Sequence, residues 1–114
     1  MKKVLFVEDE EDLREMMSDA LAHRGYDVGV AATGAEAIAA MRDATEFTHL
    51  ITDVNMPGGV SGIDLAEAVI EAHPEVRVII ASGYQKAQLP PLPPQARFLQ
   101  KPYRMHQLFA ALED

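Results

Sequence analysis

The chain has 114 residues, no cysteine and a formal net charge of −8, and this length predicts a single domain spanning residues 1–114. The lack of cysteine excludes disulfides, thiolate metal sites and cysteine nucleophiles. The acidic balance argues against direct binding to nucleic acid, which needs a basic face, and favours a cationic ligand or a protein partner.

Hydropathy indicates neither a membrane segment nor a leader. No apolar run approaches the ~20 residues that span a bilayer. The first residues lead into a short apolar run and then acids, without the longer stretch and cleavage site of a secretory signal. We therefore predict a cytoplasmic protein with no membrane association.

Short apolar runs alternate with amphipathic stretches along the chain. In chain order they predict a strand over 3–7, a helix over 13–21, a strand over 27–31, a helix over 35–41, a strand over 48–52, a helix over 62–72, strands over 77–81 and 96–99, and a last helix over 105–112. Gly25 is expected to stop the first helix, and Thr33 with Glu36 has the pattern of a capping box for the second. Four methionines fall on predicted apolar helix faces and are expected in the core: Met16, Met17, Met41 and Met105.

Strands that alternate with helices predict right-handed crossovers and a mostly parallel sheet. Five such units in this length are typical of an α/β, flavodoxin-like, doubly wound five-stranded sheet with strand order 2-1-3-4-5. Sheets of this kind bind ligands outside the carboxyl ends of their strands, here between the first and third strands.

The segment 85–95 interrupts this pattern with Pro90, Pro91, Pro93 and Pro94. Because proline lacks an N–H group and breaks helices, the fourth helix is expected to be shortened or irregular. We predict at most a turn or two over 84–89 and then an extended, polyproline-like stretch. This stretch serves either as a rigid connector or as a partner-docking surface.

Charged and hydroxyl side chains follow four strands that the predicted order makes neighbours: Glu8 and Asp9, Asp53, Ser82, and Lys101. Two like charges about 4 Å apart cost about 4 kcal/mol at an effective dielectric constant near 20, so either one acid is protonated or a cation neutralises the group. An all-oxygen ligand set favours a hard cation. The sequence therefore predicts a Mg²⁺ site, in which Mn²⁺ is expected to substitute.

A carboxylate in such a site can act as a nucleophile and form an acyl phosphate. Lys101 is placed to offset charge on the phosphoryl oxygens, and Ser82 to donate a hydrogen bond to one of them. A modified Asp53 would carry more charge and more acceptors than an aspartate, so local rearrangement should follow.

Four segments carry these residues: VLFVEDE at 4–10, TDVNMP at 52–57, IASG at 80–83 and FLQKP at 98–102. Together, in order and spacing, they resemble the response-regulator receiver domains of two-component signalling over essentially the whole chain. The resemblance implies that Asp53 accepts a phosphoryl group from a histidine kinase or a phosphotransfer protein and switches a surface that binds a downstream protein. Either a stand-alone receiver or one excised from a larger chain fits the sequence.

The resemblance also implies roles for single residues. Asp9 and Asp53 would bind Mg²⁺ directly, together with the backbone carbonyl of Asn55, and Glu8 would act through water. Other positions match the family's switch pair, its lysine and a cis peptide bond: Ser82 and Phe98, Lys101, and Lys101–Pro102.

The chain also departs from chemotaxis-type receivers. The loop 58–62 looks one residue longer, and the proline-rich segment replaces much of the fourth helix, which belongs to the surface that the family often uses for output. Phe98 lacks a hydroxyl, so its switch can be only apolar. The loop glycines and Ser82-Gly83-Tyr84 look more like receivers of hybrid kinases and small stand-alone receivers.

Three other functions fit the sequence less well. A phosphohydrolase with an aspartate nucleophile needs a second aspartate two residues later, where this chain has Asn55. A pseudo-receiver would lack site residues, and none is missing. A flavodoxin that binds FMN needs a Ser/Thr-rich phosphate loop after the first strand, where this chain has Glu8, Asp9 and Glu10.

Overall fold

A five-stranded parallel sheet forms the centre of the fold in the computed structural model, which describes residues 2–43, 46–56 and 58–113. The strands are β1 (Lys3–Val7), β2 (Asp27–Ala31), β3 (His49–Asp53), β4 (Arg77–Ser82) and β5 (Arg97–Gln100). Their order is β2-β1-β3-β4-β5, and each neighbouring pair is parallel. The predicted flavodoxin-like, doubly wound α/β sheet is therefore confirmed, with its switch point between β1 and β3.

Within the described ranges, four helices cover the two faces of the sheet: α1 (Glu11–His23), α2 (Gly34–Asp43), α3 (Gly62–Ala72) and α4 (Met105–Glu113). Alternate strand side chains point to opposite faces, which produces two separate core clusters. Leu5 and Val7 pack with α2 and α3, whereas Val4 and Phe6 pack with α1 and α4. None of these helices has the length and apolar character needed to cross a bilayer.

The predicted bounds agree with the observed ones to within two residues. β3 runs one residue further than predicted because Asp53 still pairs with Ala81 in the parallel ladder. β4 also runs one residue further, because Ser82 pairs with Gln100 of β5. At the start of α2, Thr33 Oγ1 accepts a hydrogen bond from Glu36 N, while the Glu36 carboxylate accepts from Ala32 N, one residue before the predicted partner.

One core prediction is wrong. Met16 is 59% exposed. The buried stripe of α1 repeats every four residues through Leu13, Met17 and Leu21, and Met16 lies one residue off that stripe. The other three methionines are buried or pack against the core: Met17, Met41 and Met105.

The connection between β4 and β5 is irregular, as predicted. A single 3₁₀ turn (Lys86–Gln88) is followed by chain without regular hydrogen bonding, beginning with Leu89 in an extended conformation. Leu89 and Leu92 pack against the same core cluster as α3. Leu89 and Leu92 are half-buried, whereas Pro90 and Pro91 between them are exposed.

Candidate functional site

Asp53 stands at the carboxyl end of the central strand, where the fold predicts a ligand site. It is the last residue of β3, and Val54 N donates to its Oδ1 at 3.0 Å. The next helix begins against the same piece of main chain, since Gly62 N donates to Val54 O at 2.8 Å. The chain on both sides therefore fixes the direction in which the Asp53 carboxylate projects.

The ammonium group of Lys101 joins two of the predicted acids. Its Nζ lies 2.7 Å from Asp53 Oδ2 and 3.8 Å from Glu8 Oε1. The shorter contact is a charge-assisted hydrogen bond, a strong class of interaction. The structure thus brings together the ends of β1, β3 and β5, as the strand order requires.

Glu8 is deeply buried, with 5% of its surface exposed. Burial raises the pKa of Glu8 above its usual range. The hydrogen bond from Glu10 N lowers it, the Asp9 carboxyl raises it, Lys101 lowers it and Asp53 raises it. Asp9 and Asp53 therefore oppose the ionisation of Glu8, and added positive charge would favour the ionised form of Glu8.

Arg14 is a site neighbour that the sequence did not point to. From α1, its Nη1 donates to the main-chain oxygens of Glu8 at 2.9 Å and Asp9 at 3.5 Å. These bonds hold the turn that carries both acids. The available signal was a basic residue in the first turns of the helix that follows the acidic pair, which is a common arrangement and carries little information by itself.

Tyr103 is a second neighbour that the sequence analysis missed. It borders a cavity of about 10 Å³ that Glu8, Asp53 and Lys101 also line. Burial raises the pKa of Tyr103 to about 12, with smaller contributions from the charges of Glu8 and Asp53. Tyr103 therefore stays neutral and supplies an apolar ring as one wall of the site.

The predicted switch residues lie on the two strands beyond β3. Ser82 ends β4, is 1% exposed, and its Oγ accepts a hydrogen bond from Tyr84 N at 3.0 Å. Its position is one residue past the residue that pairs with Asp53. Phe98 is half-buried on β5 beside Ile80.

The remaining predicted positions lie in the loops around these strands. Asp9 and Asn55 are exposed, in the turns after β1 and β3 respectively. Pro57, the last residue of the second resembling segment, lies outside the described residues. The Lys101–Pro102 peptide bond is cis, the isomer that the resemblance implies.

The donor set fits a hard divalent cation that keeps part of its water shell. Among the residues that the structure describes, no three acid, histidine or cysteine side chains are arranged as a complete metal cage. Mg²⁺ does not need one, because it commonly takes one or two carboxylates and fills its other positions with water and phosphate oxygens. Glu8, Asp9 and Asp53 supply carboxyl groups for such an ion, and Asp9 and Asp53 both raise the pKa of Glu8.

The response regulator receiver domain family matches residues 4–113. The chain belongs to this family, the receiver domains of two-component signalling.

Relatives include both whole receivers and part of a kinase. The response regulator receiver protein CpdR of Brucella abortus is 32% identical over 99% of this chain and 95% of that protein. The sensor kinase CckA of the same organism is 36% identical over 97% of this chain, and the match covers 12% of that kinase.

Solved structures show the same fold. The receiver domain of the hybrid histidine kinase CckA is 34% identical, with a TM-score of 0.79 over 97% of this chain and 95% of that one. The response regulator TrrA of Thermotoga maritima, solved in complex with Mg²⁺-BeF, has a TM-score of 0.88 at 24% identity, covering 99% of this chain and 97% of that one.

Proposed function

We propose that Asp53 accepts a phosphoryl group from a histidine kinase or a phosphotransfer protein in a Mg²⁺-dependent reaction. The observation that carries this proposal is the 2.7 Å contact between Lys101 Nζ and Asp53 Oδ2 at the carboxyl end of the central strand. A carboxylate held there beside an ammonium group is suited to nucleophilic attack on phosphorus. We place this reaction in the cytoplasm and assign it to residues 1–114 as one receiver domain.

In the proposed transfer, an oxygen of Asp53 attacks the phosphorus of a phosphohistidine on the partner. The new O–P bond forms as the P–N bond breaks, and the released imidazole takes up a proton. Lys101 offsets negative charge on the phosphoryl oxygens. The chain would catalyse only this reaction at Asp53 and the later hydrolysis of the acyl phosphate.

The residues that would hold Mg²⁺ are Asp9, Asp53 and the main-chain carbonyl of Asn55, with Glu8 acting through water. When bound, the ion would withdraw charge from the phosphoryl oxygens. Mn²⁺ is expected to substitute because it accepts the same oxygen ligands. Burial is the main cause of the raised pKa of Glu8, and the neighbouring acids Asp9 and Asp53 raise it further. A cation beside Glu8 would favour its ionised form, which supports this assignment.

Ser82 and Phe98 would report the modified state to a protein partner. The Ser82 hydroxyl accepts a hydrogen bond from Tyr84 N, so its own hydrogen remains available for a phosphoryl oxygen. Phe98 is half-buried and would take a second position when the surrounding loop moves. The altered surface would then bind a downstream protein rather than nucleic acid or a membrane.

The test is incubation with acetyl phosphate and Mg²⁺, followed by intact-protein mass measurement. The wild type should gain one phosphoryl group, and Asp53→Asn should gain none. Asp27→Asn, an exposed acid at the start of β2, is the matched control and should be labelled like the wild type. Labelling of Asp53→Asn at the wild-type level would overturn the proposal.

Mg²⁺ binding is tested separately by calorimetric titration. Asp9→Ala should weaken the affinity by about tenfold or more, because the ion loses a direct ligand. Asp12→Ala, an exposed acid in the first turn of α1, should leave it unchanged. Equal affinities for Asp9→Ala and the wild type would contradict the proposed ligand set.

A further inference from the structure

The Gln100 side chain bonds to main-chain oxygens on both sides of the proposed site. Its Nε2 lies 3.3 Å from Ser82 O, 3.1 Å from Gly83 O and 3.1 Å from Lys101 O. The primary amide has two hydrogens, so the three acceptors share them. One carboxamide therefore links the chain after β4 to the chain after β5.

This link lies where the regular pairing of β4 with β5 stops. The last pair in register is Ser82 with Gln100, and Lys101 N makes one more bond to Ser82 O at 2.7 Å. The next residue is Pro102, which has no N–H to continue the ladder. The Gln100 amide supplies side-chain donors at the position where main-chain donors end.

The linked segments carry the two groups that the proposed function assigns to the phosphoryl oxygens. Ser82 bears the buried hydroxyl, and Lys101 bears the ammonium group 2.7 Å from Asp53 Oδ2. Their distance from one another depends on how the two segments are held. Misplacement of a reacting group by about 1 Å can cost about 100-fold in rate.

We propose that Gln100 is a positioning residue that sets the spacing of Ser82 and Lys101 for the phosphoryl group. The inference rests on the proposed function of Asp53. A neutral amide suits this role because a carboxylate would face three carbonyl oxygens, and a lysine would place a second cation beside Lys101.

The test compares Gln100→Leu, which has similar volume and no donor, with Gln100→Asn, whose amide is one methylene short of these oxygens. Both should slow labelling by acetyl phosphate by about tenfold and weaken BeF₃⁻ binding similarly, because the Ser82 hydroxyl and the Lys101 ammonium group are displaced. Mg²⁺ affinity should stay at the wild-type value, since its proposed ligands lie at the end of β3 and in the turns after β1 and β3. Gln107→Leu, which also removes a side-chain bond to main chain, is the control and should label normally.

A double-mutant cycle with Ser82→Ala distinguishes a positioning role of Gln100 from a purely structural one. If Gln100 acts through Ser82, Gln100→Leu should have a clearly smaller effect on BeF₃⁻ affinity in the Ser82→Ala background. Equal effects in both backgrounds, or wild-type labelling by both Gln100 variants, would overturn the inference. A wild type that takes up no phosphoryl group would instead overturn the proposed function.

Discussion

Gly62 lies directly against the main-chain carbonyl of Asp53. A Cβ atom added to Gly62 would overlap the oxygen and carbonyl carbon of Asp53. The preceding Ser61 and the side chain of Asp64 cap this helix end in a reciprocal pair, so α3 starts at a fixed place. The helix start and the candidate phosphoacceptor are thus one packed unit, and the lack of a side chain at residue 62 is a requirement of space.

Gly62→Ala should therefore lower the free energy of unfolding by about 1–3 kcal/mol, the usual cost of overpacking. It should also reduce labelling of Asp53, because relief of the overlap displaces that residue. Urea unfolding and acetyl phosphate labelling measure the two effects. Gly83→Ala is the stability control, since its added Cβ would meet no atom within 4 Å. Equal unfolding curves for the two variants would contradict the packing argument.

Removal of the Lys101 ammonium should slow labelling strongly. Lys101→Met keeps most of the side-chain length but loses the charge 2.7 Å from Asp53. Loss of one preorganised donor at a developing charge commonly costs about 100-fold or more. The initial labelling rate at saturating Mg²⁺ gives the comparison, with Lys86→Met, an exposed lysine of the 3₁₀ turn, as control. A rate near that of Lys86→Met would exclude the role assigned to Lys101.

His49 makes stability depend on pH in a known direction. Burial lowers the pKa of His49, and the hydrogen bond to Leu112 O only partly offsets this. At a pH below about 6.5, the ordinary His pKa, the unfolded chain therefore binds a proton at His49 more readily than the folded chain does. The His49 contribution to stability should be complete above about pH 6.5 and decline as pH falls below it.

The measurement for His49 is urea unfolding of the wild type and His49→Gln between pH 8 and pH 5.5, a range on both sides of the unfolded His pKa of about 6.5. The free energy of unfolding of the wild type should exceed that of His49→Gln by the largest amount at high pH. This difference should become smaller as the pH is lowered. His23→Gln, in the last turn of α1, serves as control. A difference between wild type and His49→Gln that does not change with pH would contradict the burial argument.

The leucines of the proline-rich connection should stabilise the fold by packing against the core, as the apolar face of a helix would. Leu92→Ala removes a side chain that packs against the α3 core cluster and should cost about 1–2 kcal/mol, below the range for fully buried leucines. Pro91→Ala, at an exposed neighbour, should cost less. Thermal and urea unfolding test this order. The reverse order would show that the prolines, rather than the leucine anchors, hold the segment.

The sequence predicted the sheet because each strand is a short apolar run whose alternate residues serve opposite faces. Leu5 and Val4, adjacent in sequence, belong to different core clusters. The acids could be predicted for a related reason. Glu8 follows a buried run and Asp53 ends one, so parallel strands had to bring them to one edge.

Other features depended on contacts that no local pattern encodes. The hydrogen bonds of Gln100 reach Gly83 and Ser82, which lie 17 and 18 residues away in the sequence. A single glutamine has no periodicity that could predict them. Tyr103 reaches the site only because the chain after Lys101 turns toward it. The prediction that Met16 is buried was wrong because five apolar residues of α1 form a stripe wider than the face that packs against the sheet. Met16 lies at the edge of this stripe and is exposed.

The proline-rich connection limits how a signal can pass between β4 and β5. A helix in that place could unwind by a turn or change its length, since each residue can exchange a hydrogen bond. Prolines hold φ nearly fixed and have no such bonds to exchange. Because Leu89 and Leu92 are half-buried and both pack against the core, we expect a shift of the segment to displace the two leucines together. We expect a rearrangement there to displace the segment as a whole. Its free-energy cost would then depend on the apolar surface of the two leucines that becomes exposed to water.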